Sequence, residues 1–492
     1  SIFSYFGFDH FDSHIFKVSK DAEIDFDSDI STTLIQKIEK GIKNRRKGRT
    51  VRFVYDKEMD AGLLEYLIRK LNLSRKDNII PGGRIHNFRH FMDFPDVFYS
   101  NSQNARRSSF SHPALSHSLR VTDAVLKKDI MLHFPYHSFN AIIDLLRESA
   151  IDPHVTVIKI TLYRLAPGSK IINALINAVR NGKEVVVMLE LKARFDEEAN
   201  LKWKERLEEE GVKVLIGVDN MKVHAKVCVI KKRVDNNVIQ YGFVSTGNLN
   251  EQTARIYGDH CLLTSNRHVM ADINRIFNFL ESPKSGFETL KLCQTLLVCP
   301  TNMRHELTAL INREIKNARA KKAASIIVKI NSLSDADLIE KLYDAALAGV
   351  EVKMIVRGIF CARVENPKFK RPFTAISIVD EYLEHARVLI FHNDGKEKVY
   401  ISSADWMVRN LDHRVEAAVP VTDKDIIDEL KNIISIQLQD NVKARWLDPE
   451  LSNRYVEQHG EKQVRSQIEI YNYLQNKVSH PHQEATVLQI AQ

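Results

Sequence analysis

The chain has 492 residues, a formal net charge of +8 and a pI near 9.0, with 44% hydrophobic and 27% charged residues. Those proportions are ordinary for a globular protein, and the length exceeds what one core can serve, so two or three domains are expected. No run of eighteen apolar residues exists, which excludes a membrane span, and SIFSYFGFDHFDSHIF has neither the basic start nor the cleavage site of a secretory signal.

Five cysteines (Cys228, Cys261, Cys293, Cys299 and Cys361) form no CxxC pair, which points to reduced, buried thiols and a cytoplasmic location. Peripheral attachment to a membrane stays open, although no segment argues for it. The basic balance leans toward polyanionic partners, a weak signal by itself. The first residue is Ser1 and the opening segment shows no clear element start, as expected of a fragment whose N-terminus has been removed.

Residues 1–125 form a block without internal repetition. TTLIQKIEKGIKNRRKGRTVRFVYD reads as a basic helix followed by a strand, and PGGRIHNFRHF, from Pro81, as a turn rich in cations and aromatics. GIKNRRKGRT is not a phosphate loop of the Walker type, because its glycines are seven positions apart and Arg49 stands where lysine belongs.

From about Leu126 the chain is written twice. IINALINAVRNGKEVVVMLEL, from Ile171, matches LIEKLYDAALAGVEVKMIVRG, from Leu338: an amphipathic helix, a stop at Gly182 or Gly349, then a Val-rich strand. VKVLIGVDNMKVHAKVCVI then matches TAISIVDEYLEHARVLIF, and YGFVSTGNLN matches KVYISSADWM. Order is preserved throughout, so the fold class is α/β, with duplicated domains at 126–298 and 299–492 after the first block. No low-complexity linker separates the repeats, and they are expected to pack together. The tail after about Lys477 reads as poorly ordered.

Each repeat brings a histidine and a cation two residues on: His224 with Lys226, and His385 with Arg387. Alternation along a strand puts such a pair on one face. A lone histidine in a β run is usually structural, but two at equivalent positions point to chemistry. Neutral imidazole can attack phosphorus, which makes His224 the candidate nucleophile and His385 the candidate general acid. Lys226 and Arg387 fit as partners for phosphoryl oxygens, against the plainer reading of cations snorkelling at a strand edge. Arg164, Arg194 and Arg357 stand at or just beyond strand ends, where α/β ligand sites gather. Ser245-Thr246-Gly247-Asn248 and Ser402-Ser403-Ala404-Asp405 suit either orientation of phosphate or imidazole, or helix capping by Asn248 and Asp405.

With VRFVYD, PGGRIHNF, ITLYR, ARFDEEAN, VHAK, STGNLNEQTARIY, RIFNFLESP, TAISIVDEYLEH, SSADWMVRN and VKARWLDPELSNRY in this order, the chain resembles the phospholipase D superfamily and, within it, the long, type 1 polyphosphate kinases. The resemblance implies two tandem phospholipase D-like domains related by a pseudo-twofold, preceded by an α+β head domain at 1–125. It implies reversible transfer of the ATP γ-phosphate to inorganic polyphosphate through a phosphohistidine on His224. His385 then binds ATP phosphates and donates a proton, Tyr257 contacts the nucleotide and Arg357 its phosphates; Lys226, Arg387 and Asn248 are candidates for the same phosphates on the residue reading above. Arg164 and Arg194 are associated with the Mg²⁺ and phosphate site; arginine cannot ligate a cation, so they read as phosphate clamps. The family carries a further N-terminal helical domain that contributes to nucleotide binding and to a homo-oligomer, and no nucleic acid is expected as a partner.

The phospholipase D pattern proper also has an aspartate five residues after each lysine, where this chain has Lys231 and His392. That makes phospholipid hydrolysis a poor fit. Two rivals remain: a phosphodiesterase or nuclease using the same histidines, and a catalytically silent polyanion-binding protein. TARIY and VRG favour the kinase over the first.

Overall fold

The computed structural model describes residues 5–20, 35–36, 38–39, 50–74, 78–87, 91, 107–116, 118–193, 196–218, 220–450, 452–457 and 462–479. They form two compact units, 1–106 and 107–492.

The first unit contains a three-stranded sheet. Thr50–Asp56 is central, antiparallel to Phe16–Lys20 and parallel to Asn78–Gly82. The turn expected from Pro81 begins later, because Pro81 and Gly82 still pair with Tyr55 and Asp56. An edge strand tolerates a proline that lacks a ladder donor, which is why the residue type misled. Helix Ala61–Lys70 starts where the Asp60 carboxylate accepts the Leu63 N–H at 2.9 Å. Most of the expected basic helix, residues 40–49 with the rejected phosphate-loop segment, lies outside the described residues.

The second unit holds the duplicated α/β architecture. The first sheet runs Tyr257–Thr264, Asn237–Ser245, Lys226–Val234, Val155–Leu162, Glu184–Leu189, Lys213–Leu215, with Ile130–Phe134 outside Tyr257–Thr264. The second repeats that order as Arg414–Val421, Lys398–Ser402, Arg387–Phe391, Ser325–Ile330, Glu351–Val356, Thr374–Ile378, with Leu297–Cys299 outside Arg414–Val421. In each, the helix before the Val-rich strand stops at a glycine in the left-handed region: Gly182 at φ 78° after Lys170–Arg180, and Gly349 at φ 96° after Ala336–Ala348. The strands between are apolar on both faces because helices cover them.

The sheets also exchange edges. Lys222–Val223, just before His224, pairs in parallel with Arg414–Val415 of the second sheet. Leu383–Glu384, just before His385, pairs in parallel with Tyr257–Gly258 of the first. One apolar core runs through both repeats: Val227, Val244 and Leu262 share it with Val388, Ile401 and Val415, under helices Arg267–Glu281 and Lys424–Leu438. Four cysteines are buried as expected, but Cys361 is exposed, on the segment that follows the strand Glu351–Val356. The last helix runs Ser466–Ser479, beyond the expected end of order at Lys477, and 480–492 lie outside the described residues. Among the described residues no helix is long and apolar enough to cross a membrane.

The closest backbone approach tests this packing. A Cβ on Gly242 would stand 1.9 Å from the Cys228 carbonyl oxygen on the neighbouring strand. Gly242→Ala is expected to destabilise the second unit by about 2 kcal/mol or more, read as a lowered urea midpoint.

Candidate active site

The strand expected to carry both His224 and Lys226 is interrupted. Pairing within the first sheet resumes only at Lys226, while the backbone N–H groups of His224 and Ala225 both donate to the Val415 carbonyl at 2.8 Å. His385 and Ala386 do the same in reverse, donating to the Gly258 carbonyl at 3.0 and 2.7 Å. Histidine and cation thus sit at a crossover between sheets, because the chain leaves one sheet to pair with the other and returns.

The residue after each accepting carbonyl is a buried acid. Glu416 Oε2 lies 2.8 Å from His224 Nδ1, and both oxygens of Asp259 lie 2.9 Å from His385 Nδ1. Each histidine is therefore oriented by a carboxylate from the opposite repeat. Those carboxylates are held in turn by the small polar stretches: Ser403 Oγ donates to Glu416 at 2.5 Å, and Thr246 Oγ1 to Asp259 at 2.6 Å. Asn410 completes Glu416 with a 2.8 Å bond. Gly247 is needed for close approach, since a Cβ there would meet an Asp259 oxygen at 2.0 Å.

Burial comes first in setting the charges. It pushes His224 down to about 3, with Lys226 and Arg414 adding to the effect and Glu416 opposing it. His385 is also pushed down by burial, then by Arg387 and Lys226, against Asp259. Burial alone would raise Glu416 and Asp259, but their histidine and cation neighbours hold both below the ordinary range. A neutral His224 facing an ionised Glu416 must place its proton on Nδ1, which leaves the Nε2 lone pair free. The ring is braced edge-on by Tyr163 at a centroid distance of 5.1 Å.

Lys226 and Arg387 are 1% and 3% exposed, so they are not snorkelling edge cations. Lys226 Nζ donates to the His224 carbonyl and lies 5.4 Å from the Tyr163 ring centroid. Arg387 forms a fork with Asp405 at 3.2 and 3.1 Å, and its Nη1 lies 3.2 Å from His385 Nε2. Asp405 is thus an anchor and not a helix cap. Asn248 caps no helix either; Asn250 takes the turn N–H groups, and Asn248 Oδ1 is buried without a partner. Tyr257 lies 5.3 Å from the His385 ring. Arg357 bonds to Asn331 and to the Glu384 carbonyl. Arg164 pairs with Asp196 at 2.9 Å, next to Tyr163. Arg194 lies outside the described residues.

Among the described residues no group of three His, Cys, Asp or Glu side chains could hold a metal ion. The site carboxylates Asp259, Asp405 and Glu416 are all engaged by histidine or arginine.

Two buried histidines, each oriented by the other repeat's acid and each followed two residues on by a buried lysine or arginine, form one arrangement written twice. Residues 1–94, 120–286 and 296–467 match the family models for the polyphosphate kinase middle domain, C-terminal domain 1 and C-terminal domain 2. The chain is 44% identical over 477 residues to a polyphosphate kinase of Vibrio vulnificus (strain YJ016), covering 97% of this chain and 67% of that protein. It is 41% identical to the polyphosphate kinase of Escherichia coli (strain K12), covering 96% and 68%. The chain belongs to the polyphosphate kinase family. The crystal structure of polyphosphate kinase from Porphyromonas gingivalis superposes with a TM-score of 0.79 at 38% identity, over 87% of this chain and 65% of that one. This chain therefore spans about two thirds of the polyphosphate kinases it matches.

Sequence reasoning missed the residues that orient the site: Asp259, Glu416, Asn331 and Tyr163. A signal existed for the first two, in single carboxylates inside the apolar runs YGDHCLLT and RVEAAVPV at matching places of the repeats.

Five histidines of this polyphosphate kinase unit (His112, His137, His224, His260 and His385) are held below the ordinary imidazole value, burial being the first cause in each. The unfolded chain takes up protons near pH 6.5 that the folded chain refuses, so stability is full above that pH and is lost as pH falls below it. Denaturant midpoints are expected to fall between pH 7.5 and 5.5. A flat profile over that interval would contradict the neutral, buried histidines.

Proposed function

We propose that this chain carries the phosphoryl-transfer chemistry of a polyphosphate kinase: reversible transfer of the ATP γ-phosphate to inorganic polyphosphate through a phosphohistidine on His224. The observation that carries the reading is the 2.8 Å contact between His224 Nδ1 and Glu416, which fixes a neutral tautomer with its Nε2 lone pair available. In the first step Nε2 attacks the γ-phosphorus; the N–P bond forms, the bond from phosphorus to the bridging oxygen breaks, and ADP departs. In the second, a terminal oxygen of polyphosphate attacks the same phosphorus and the N–P bond breaks, which restores His224 and lengthens the chain by one phosphate.

Lys226 and Arg387, both buried, are assigned to the charge that spreads over the phosphoryl oxygens; burial pushes Lys226 well down, and an arriving phosphate favours its ammonium form. His385, as general acid, delivers a proton to the departing oxygen of ADP and is reprotonated from solvent before the next turnover; in the reverse direction it takes that proton back. Burial, Arg387 and Lys226 hold it down; arriving phosphates offset the two cations, so substrate binding itself favours its protonation. Tyr257 and Arg357 are assigned to the nucleotide, Asn248 to its phosphates, and Arg164 and Arg194 to a phosphate clamp. Mg²⁺ is taken to enter as the Mg²⁺ complex of the nucleotide, held chiefly by phosphate oxygens.

Incubation with Mg²⁺ and γ-³²P-ATP is expected to give acid-labile, base-stable label on the protein and a ladder of polyphosphate. His224→Ala should carry no label and no turnover. His385→Ala should retain nucleotide binding while turnover falls by roughly 10²–10⁴-fold. Turnover retained in the His224 variant would sink the covalent mechanism, and label without a ladder would confine this chain to the first half-reaction.

A further inference from the structure

Arg357 begins where the strand Glu351–Val356 ends, and Asn331 follows the paired strand Ser325–Ile330. Asn331 is 5% exposed, with every polar group engaged. Its Oδ1 accepts from Arg357 Nε at 3.2 Å and from Nη2 at 2.9 Å. Its Nδ2 donates to the His385 carbonyl at 3.2 Å. Its backbone N–H donates to Asp405, the anchor of Arg387, at 2.8 Å, and its carbonyl accepts the Gly358 N–H at 2.7 Å. One residue therefore ties together three groups assigned to the phosphates: its side chain holds the Arg357 guanidinium and the His385 carbonyl, and its backbone N–H holds the Asp405 that anchors Arg387. Gly358 admits this contact, since a Cβ there would meet the Asn331 carbonyl at 2.9 Å.

Arginine carries five N–H donors in a rigid plane, and this one has its inner edge fixed on neutral acceptors, Asn331 Oδ1 and the Glu384 carbonyl at 2.8 Å. A neutral amide fixes the plane without neutralising the charge, whereas a carboxylate in its place would take the charge for itself. We infer that Asn331 is a positioning residue that aims the outer, Nη1 edge of Arg357 at a phosphate while leaving its charge available to the ligand. The inference rests on the assignment of Arg357 to a phosphate under the proposed function, and it adds a residue that the first repeat does not provide. There the equivalent strand end carries Tyr163, whose ring packs on His224.

The test is a double-mutant cycle read by calorimetric binding of β,γ-imido-ATP with Mg²⁺, and separately of inorganic tripolyphosphate, to the full chain. Asn331→Ala and Arg357→Ala are each expected to weaken binding about tenfold, and the double variant no further than Arg357→Ala alone. Asn331→Asp, which keeps an acceptor for Arg357 but opposes its charge and loses the donor to the His385 carbonyl, should weaken binding at least as much as Asn331→Ala. Wild-type affinity in Asn331→Asp, or losses that multiply in the double variant, would overturn the inference. If the cycle shows coupling for tripolyphosphate while wild-type protein binds no nucleotide, the positioning role stands and the nucleotide assignment fails.

Discussion

Everything in the second unit depends on a reciprocal exchange: each repeat orients its histidine with a carboxylate that belongs to the other. Glu416 cannot reach His224, nor Asp259 His385, unless both sheets are folded and docked with Lys222–Val223 and Leu383–Glu384 crossing over. Taking such charges out of water is expensive, and removing one partner of a buried pair typically costs about 3–5 kcal/mol. The shared apolar core supplies the favourable term that holds them there. Docking of the repeats and assembly of the site are one event, which explains why the pseudo-twofold runs through the chemistry as well as through the fold.

The charge ledger of this interface shifts when an anion arrives. Three arginines (Arg357, Arg387 and Arg414) face three carboxylates (Asp259, Asp405 and Glu416); burial has removed the histidine charges and also pushes Lys226 well below its ordinary value, so an arriving anion favours the Lys226 ammonium. Asp405, despite burial, is held down to about 2 by Arg387, so the carboxylates stay ionised and accept only from their protein partners. A phosphate entering this site meets preorganised donors at low effective dielectric, where they act most strongly.

How much of this was legible in the sequence follows from what kind of interaction each feature uses. The duplicated α/β order, the helix stops at Gly182 and Gly349 and the pairing of His224 with His385 are local, and the sequence repeats them in place. The interruption of the strand at His224 was not legible, because it is caused by pairing with Arg414–Val415 almost two hundred positions later, and periodicity is blind to which sheet a strand joins. Asn331 and Tyr163 gave no signal at all, since neither residue type announces a site and each matters only through what it touches. Pro81 misled for the opposite reason: its usual meaning is a turn, and edge position overrode it.

The symmetry is broken where the chemistry diverges. At equivalent strand ends the first repeat has Glu190 and the second Arg357. Both hold the residue before the histidine, but with reversed polarity: Glu190 accepts the Val223 N–H at 2.7 Å, whereas Arg357 donates to the Glu384 carbonyl at 2.8 Å. The first repeat uses its buried acid on its own backbone, since Glu190 also takes the Lys192 N–H at 2.8 Å, and the guanidinium beside its crossover, Arg414, comes from the other repeat and lies 3.8 Å from Glu416. The second keeps a half-buried arginine with one edge unpaired. On the proposed function this division has a physical logic: a nucleophile that forms a bond to phosphorus is best served by a neutral, braced ring, and a histidine that meets incoming phosphates by a cation aimed at them. One frame, inverted in charge at a single pair of strand ends, therefore supports two different tasks for two equivalent histidines.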